Sequence, residues 1–165
     1  MKLTIDTNII NVRGKLPAVN TLERWQAEGK VQLIGTERLK DETASHKKAS
    51  QKVNSMPNVS EPMVLGVSRL GHAYLAGENS GPGFMELAQV LFPNQKDPLS
   101  LSNGDTNDVM HLVSHAHSKN EVFVTNNTKH FIANGRREKL KDGFGIVIMT
   151  PEEVVDHLSA RHGWE

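Results

Sequence analysis

The chain has 165 residues, of which 37% are hydrophobic and 23% charged, a size and mixture suited to one soluble globular domain with a real core. Its 19 basic and 19 acidic residues cancel, so it lacks the positive bias that marks many nucleic-acid-binding domains. It contains no cysteine, which excludes disulfides, thiolate zinc sites and a cysteine nucleophile, and it shows no membrane-length apolar run and no secretory leader, so a cytoplasmic protein without a membrane partner is expected.

Lys2 to Ile5 form a short strand-like run that ends on a carboxylate, Asp6, before the apolar Ile9 and Ile10. Leu16, Val19, Leu22 and Trp25 recur at helical spacing, with Pro17 suited to a first turn and Gly29 to a helix end. Val31 to Ile34 read as a second strand, and Leu39 to about Val53 as a polar helix-compatible stretch. The chain then changes character. "NSMPNVSEP" is turn-rich, Met63 to Leu70 is apolar and fits helix or strand, and "GENSGPG" is a loop or breaker. Met85 to Phe92 fit a short helix stopped by Pro93, and "NQKDPLSLSNGD" is a further loop.

The last third is clearer. Asp105 to Lys119 read as a helix with Val109, Leu112, Val113 and Ala116 as its apolar stripe. "EVFVT" (Glu121 to Thr125) is a strand, and "GIVIM" (Gly145 to Met149) a continuous apolar strand that implies burial on both faces. Thr150, Pro151, Glu152 and Glu153 are a helix start, with an N-cap, a first-turn proline and acids against the dipole. Two locally basic stretches, "HKKASQK" and "GRREKLK", are read as solvated faces. Alternating strands and helices predict an α/β fold with a mostly parallel sheet, in one domain spanning residues 1–165 with an embellishing segment at about 55–104.

In a parallel sheet, ligands gather beyond the carboxyl ends of the strands. Asp6 ends the first strand, Glu42 follows the second, Asp105 and Asp108 open the helix before "EVFVT", and Thr125 to Asn127 follow that strand. Asp alone at a strand end is more often a turn or helix cap, Glu42 alone a solvated helix residue, and Asp105 a first-turn acid. Together, clustered carboxylates repel and call for a cation, and hard oxygen donors suit Mg²⁺ or Mn²⁺.

Four stretches, "LTIDTNII", "TERLKDE", "NDVMHLVSHA" and "FVTNNTKHF", resemble the motifs of the PIN domain family in order and spacing. The resemblance covers the first 55 residues and about the last 65. It implies a three-layer α/β/α sandwich and a metal-dependent endoribonuclease that hydrolyses RNA phosphodiester bonds, in many small bacterial members as the toxin of a toxin–antitoxin pair. By the same resemblance the catalytic and metal-holding acids fall on Asp6, Glu42 and Asp108; Asp105, one helical turn from Asp108, is read as a further metal ligand that supplies charge missing at Asn127. Asn8, Thr36, Thr125 and Asn127 fall on supporting positions. Asn127 departs from the pattern, since many members carry Asp there; an amide offers an oxygen but no charge. Lys129 and His130 are read either as facing substrate phosphate or as solvated. An antitoxin and a second copy of the chain are the expected protein partners.

Other chemistries fit less well. His111 and His115 are four apart on one helix, with His117 close behind, but Leu112 occupies the place of the glutamate that a zinc-protease motif requires. They are read as helix-surface or partly buried residues. No phosphate-cradling G-x-x-x-x-G-K-[ST] loop and no nucleophile elbow occurs. The alternative to a nuclease is a binding scaffold of the same fold with a decayed metal site, which grips RNA or protein without cutting.

Overall fold

A computed structural model describes residues 1–10, 16–68, 73–75 and 81–164. Four parallel pairings build a five-stranded sheet from β1 (Lys2–Ile5), β2 (Gln32–Thr36), β3 (Asn58–Val59), β6 (Val122–Val124) and β7 (Ile148–Met149), in the order β3-β2-β1-β6-β7. β4 (Glu61–Pro62) and β5 (Ala73–Tyr74) form a separate parallel pair. The helices are α1 (Thr7–Ile10), α2 (Pro17–Ala27), α3 (Glu37–Thr43), α4 (Lys47–Asn54), α5 (Phe84–Leu91), α6 (Asn103–Ser118), α7 (Thr128–Phe131), α8 (Arg136–Phe144) and α9 (Pro151–His162). The predicted α/β class with a parallel sheet is what the chain adopts.

Period-two alternation explains how the sheet is buried. Leu3 and Ile5 of β1 and Val122 and Val124 of β6 join one hydrophobic cluster, with Trp25 and Leu22 of α2 and Val154 and Leu158 of α9. Phe123, between Val122 and Val124, joins the other cluster, with Leu87 and Leu91 of α5, Val109, Leu112 and Val113 of α6, and Ile148 of β7. Both faces of the strands are therefore covered, which is why "GIVIM" is apolar throughout.

Several details differ from the sequence reading. The stretch from Leu39 to Val53 is two helices, α3 and α4, separated by a turn before His46. The turn-rich "NSMPNVSEP" carries β3 and β4, and β3 extends the main sheet beside β2. Gly35 of β2 sits in register with Asn58, and a Cβ there would lie 2.6 Å from the Asn58 Oδ1. Met63 to Ser68 are neither helix nor strand; Leu65 is 86% exposed. Residues 69–70 of that run and 77–80 of "GENSGPG" lie outside the described residues. "GRREKLK" lies in α8, bracketed by Gly135 (φ 72°) and Gly145 (φ 69°), both left-handed, where a side chain would strain the backbone. α5, within the segment expected to be embellishment, buries Phe84, Leu87, Ala88 and Leu91 in the second cluster.

From β1 the chain passes to β2 on one side, while β6 and β7 lie on the other. The order thus reverses between β1 and β6, and the crevice beyond their carboxyl ends is where such sheets bind ligands.

Candidate active site

Asp6 sits at that reversal. Its backbone N–H continues the ladder by donating to the Val124 carbonyl at 3.0 Å, and its own carbonyl accepts from Ile9 N at 3.0 Å, so strand gives way to α1 at this residue. The carboxylate is 3% exposed. Thr125 donates its hydroxyl to Asp6 Oδ2 at 2.6 Å, and Asn8 Nδ2 donates to the same oxygen at 2.7 Å. The supports are supported in turn: Asn8 Nδ2 also reaches Thr125 Oγ1 at 3.2 Å, Asn126 N donates to Asn8 Oδ1 at 2.9 Å, and Asn127 N donates to Thr125 Oγ1 at 2.9 Å. Asp6, Asn8 and Thr125 are thereby fixed together, with the α1 start and the β6 end as a single unit.

Glu42 projects from the last turn of α3. Its Oε2 accepts from the Thr7 hydroxyl and lies 3.1 Å from His111 Nε2, while its Oε1 accepts from Asn107 Nδ2 at 2.8 Å. The other ring nitrogen of His111, Nδ1, is 2.6 Å from the hydroxyl of Thr36, which also caps α3 by accepting from Leu39 N at 3.3 Å. His111 is 1% exposed, so it is not the helix-surface or partly buried residue that the sequence suggests. Arg38 braces the same corner: it pairs with the buried Glu61, reaches the Val67 carbonyl at 3.0 Å and donates to Asn107 Oδ1 at 3.3 Å.

Asp108, one turn before His111 on α6, faces the loop after β6. Its Oδ2 accepts from Asn127 Nδ2 at 3.2 Å and lies 2.6 Å from His130 Nδ1. Asn127 is also the N-cap of α7, its Oδ1 accepting from His130 N at 3.2 Å. Asp105, a first-turn acid of α6, accepts from the N-cap hydroxyl of Ser102 at 2.8 Å and comes within 4.0 Å of His130 Nδ1. One ligand atom from each of Asp105, Asp108 and His130 lies within 4.8 Å of the others, a grouping that could hold a metal ion. Lys129 stands exposed on α7, and its carbonyl accepts from Arg136 at 3.1 Å. His130 is thus engaged by Asp108 rather than left solvated.

The charges communicate. Burial pushes the Asp6 carboxyl above its ordinary range, His111, Thr125 and the Thr7 N–H pull it back, and the Glu42 charge pushes it up again; the net shift is upward. Burial also dominates at Asp108, opposed by the hydrogen bond from His130 and reinforced by the Asp6 charge, and raises it to about 6. At Glu42 burial is outweighed by the His111 hydrogen bond and charge, with Thr7 and Asn107, and the carboxyl is held down to about 2. Burial would lower His111, but Glu42, Asp6 and Asp108 together raise it. Asp6, Glu42 and Asp108, from three separate segments, therefore occupy one electrostatic neighbourhood, with His111 among them.

His115 lies elsewhere on α6. Its Nδ1 is 2.8 Å from Thr4 Oγ1, which also accepts from Asn120 Nδ2 at 2.9 Å, and burial pushes its pKa down to about 4. No lysine or arginine pairs with Asp105 or Asp108 among the described residues. No helix among the described residues is long and apolar enough to cross a membrane. Comparison of the chain with protein-family models, with curated proteins and with solved structures finds no match in any of the three.

Proposed function

We propose that this protein is a divalent-metal-dependent endoribonuclease with a PIN-like α/β/α sandwich, and that the crevice between β1 and β6 is its active site. The observation that carries the reading is the meeting of Asp6, Glu42 and Asp108 at the sheet reversal, where each charge is felt by another. Toxin activity with a cognate antitoxin and a homodimeric state belong to the same proposal and rest on the motif resemblance alone.

The donor set fits a divalent ion. Burial, with mutual repulsion added, raises the Asp6 and Asp108 carboxyls, a cost that a bound cation relieves, and hard oxygen donors on converging elements supply what Mg²⁺ or Mn²⁺ takes. Asp108 and Asp105 are the carboxylates grouped closely enough to hold it, with the Asp6 charge acting on Asp108 from beside them. When bound, such an ion lowers the pKa of a water and offsets charge on the phosphate. The chain does the positioning. Thr125 and Asn8 hold the Asp6 carboxylate in one orientation through Oδ2. Asn127 does the same for Asp108 through its Nδ2. Glu42, with both oxygens engaged by Thr7, His111 and Asn107, acts as a fixed charge that steadies the pocket wall.

That saturation of Glu42, with the amide at Asn127, favours the second reading, a scaffold that binds RNA or protein without cutting. The deciding experiment incubates the purified protein with a structured and a single-stranded RNA, with Mg²⁺ or Mn²⁺ and with excess EDTA. Cleavage that needs the ion and is lost in Asp6→Asn supports the nuclease. RNA retained intact by a protein that binds it supports the scaffold.

A further inference from the structure

We infer that His130 is a nitrogen ligand of this centre, and that the centre prefers a first-row transition dication (Mn²⁺, Co²⁺ or Zn²⁺) to Mg²⁺. The inference deepens the proposed reading and rests on it for the presence of a cation.

Metal–ligand bonds of about 2.0–2.2 Å place two ligands of one ion about 3 Å apart when adjacent and somewhat over 4 Å when opposite. His130 Nδ1 stands 2.6 Å from Asp108 Oδ2 and 4.0 Å from Asp105 Oδ1, and all three ligand atoms fall within 4.8 Å. An ion entering among them needs Asp108 and His130 to part by only a few tenths of an ångström. The three donors also come from fixed elements. Asp105 and Asp108 lie one turn apart on the 16-residue α6. His130 is tied by its backbone N–H to the Asn127 cap, and its ring meets the edge of Phe92 at 5.3 Å and 78°.

The chemistry of the donor decides the ion. The place where the resemblance leads one to expect a fourth carboxylate holds Asn127, whose amide nitrogen is spent on Asp108 and whose oxygen is spent on the helix cap. Among the described residues, the donor that joins Asp105 and Asp108 in the grouping is an imidazole three residues on, that of His130. A neutral ring nitrogen contributes no charge, so it adds little for Mg²⁺, which binds oxygen and charge. It adds much for ions that accept nitrogen, whose affinities rise along the first row. A cavity of about 250 Å³, lined by Phe92, Asp105 and Arg136 among others, lies on the Asp105 side of the group.

The test is binding, not turnover. Mg²⁺, Mn²⁺, Co²⁺ and Zn²⁺ are each titrated calorimetrically into the protein and into His130→Ala. In parallel, the ring nitrogens of nitrogen-15-labelled wild-type protein are followed by NMR during a Zn²⁺ titration. The expected result is Co²⁺ affinity at least about tenfold above Mg²⁺ in the wild type, a loss on the order of tenfold for Co²⁺ but little for Mg²⁺ in His130→Ala, and a ligation shift at His130 Nδ1 while His115 stays put. An unshifted His130 Nδ1 overturns the inference, even if His130→Ala fails to fold, because the NMR arm uses the wild type. A Co²⁺-to-Mg²⁺ ratio unchanged in a folded His130→Ala overturns it equally. Metal bound through His130 without RNA cleavage by any ion would instead sink the nuclease reading and leave this one standing.

Discussion

His111 Nε2 lies 3.1 Å from Glu42 Oε2, and through this contact a buried histidine of α6 serves as the counter-charge of an acid on α3. Removing the ring in His111→Leu strands Glu42 beside Thr7 and Asn107 with no cation. The loss is expected to be about 2–3 kcal/mol at pH 6, less than for a wholly buried pair because the Glu42 side chain keeps 25% exposure. The double variant His111→Leu/Glu42→Leu should regain part of that loss, which urea denaturation of the four-member cycle measures. The pH dependence has two sides. Glu42 is depressed from 4.5 to about 2, so its contribution is complete above 4.5 and is lost as pH falls through about 2. His111 is raised above 6.5, so its contribution is complete below 6.5 and is lost as pH rises through the folded value. The stability difference between wild type and His111→Leu should therefore be largest between 4.5 and 6.5.

His115 behaves in the opposite way. It is buried neutral against Thr4, with its pKa lowered from 6.5 to about 4. The unfolded chain takes up the proton first, so this residue's stability is complete above 6.5 and is lost as pH falls toward 4, by about 3 kcal/mol in all. Denaturation curves at pH 7.5 and pH 4.5 should converge for His115→Gln by most of that amount.

Asp6→Asn keeps the donors of Thr125 and Asn8 supplied, because the amide oxygen can accept both. It removes a buried charge that burial and Glu42 already disfavour. The metal-free variant should melt a few degrees higher than wild type, corresponding to about 1 kcal/mol, while losing divalent-ion affinity. Calorimetric scans with and without EDTA check both parts.

Asn127→Asp retains the cap on His130 N but turns the donor to Asp108 into a second carboxylate at the same contact. Without metal the variant should be less stable by about 1 kcal/mol. Divalent ions should bind it more tightly than wild type, since affinity follows ligand charge. Manganese titration gives the answer: an affinity no higher than wild type would place this side chain outside the ion's reach.

The parts of this molecule that were legible in the sequence are the ones that local pattern encodes. β1 and its terminal Asp6, α2 with its proline start, and α9 with the Thr150 cap each declare themselves within a dozen residues. β3, β4 and β5 have two residues each, too few for alternation, and exist only because partner strands pair with them. α8 buries Leu140 alone, so it has no apolar stripe, and its glycine brackets were the available signal. The buried place of His111 does not show in the sequence because its neighbours Val109, Leu112 and Val113 read as the whole buried face. Its position three residues after Asp108, which puts both on one side of α6, was the clue.

The pairing of β1 with β6 has a consequence for how the protein is made. The partners of Leu3, Thr4 and Ile5 are Val122, Phe123 and Val124, more than a hundred residues downstream. While the chain is being synthesised, β1 can dock on β2 early, but its other edge stays open until the final third of the polypeptide emerges. During that interval Asp6 lacks Thr125, and Asp108 lacks Asn127 and His130. The nascent chain thus carries an unfinished pocket beside an open strand edge, and the late, non-local closure that completes Asp6 and Asp108 works against fast folding.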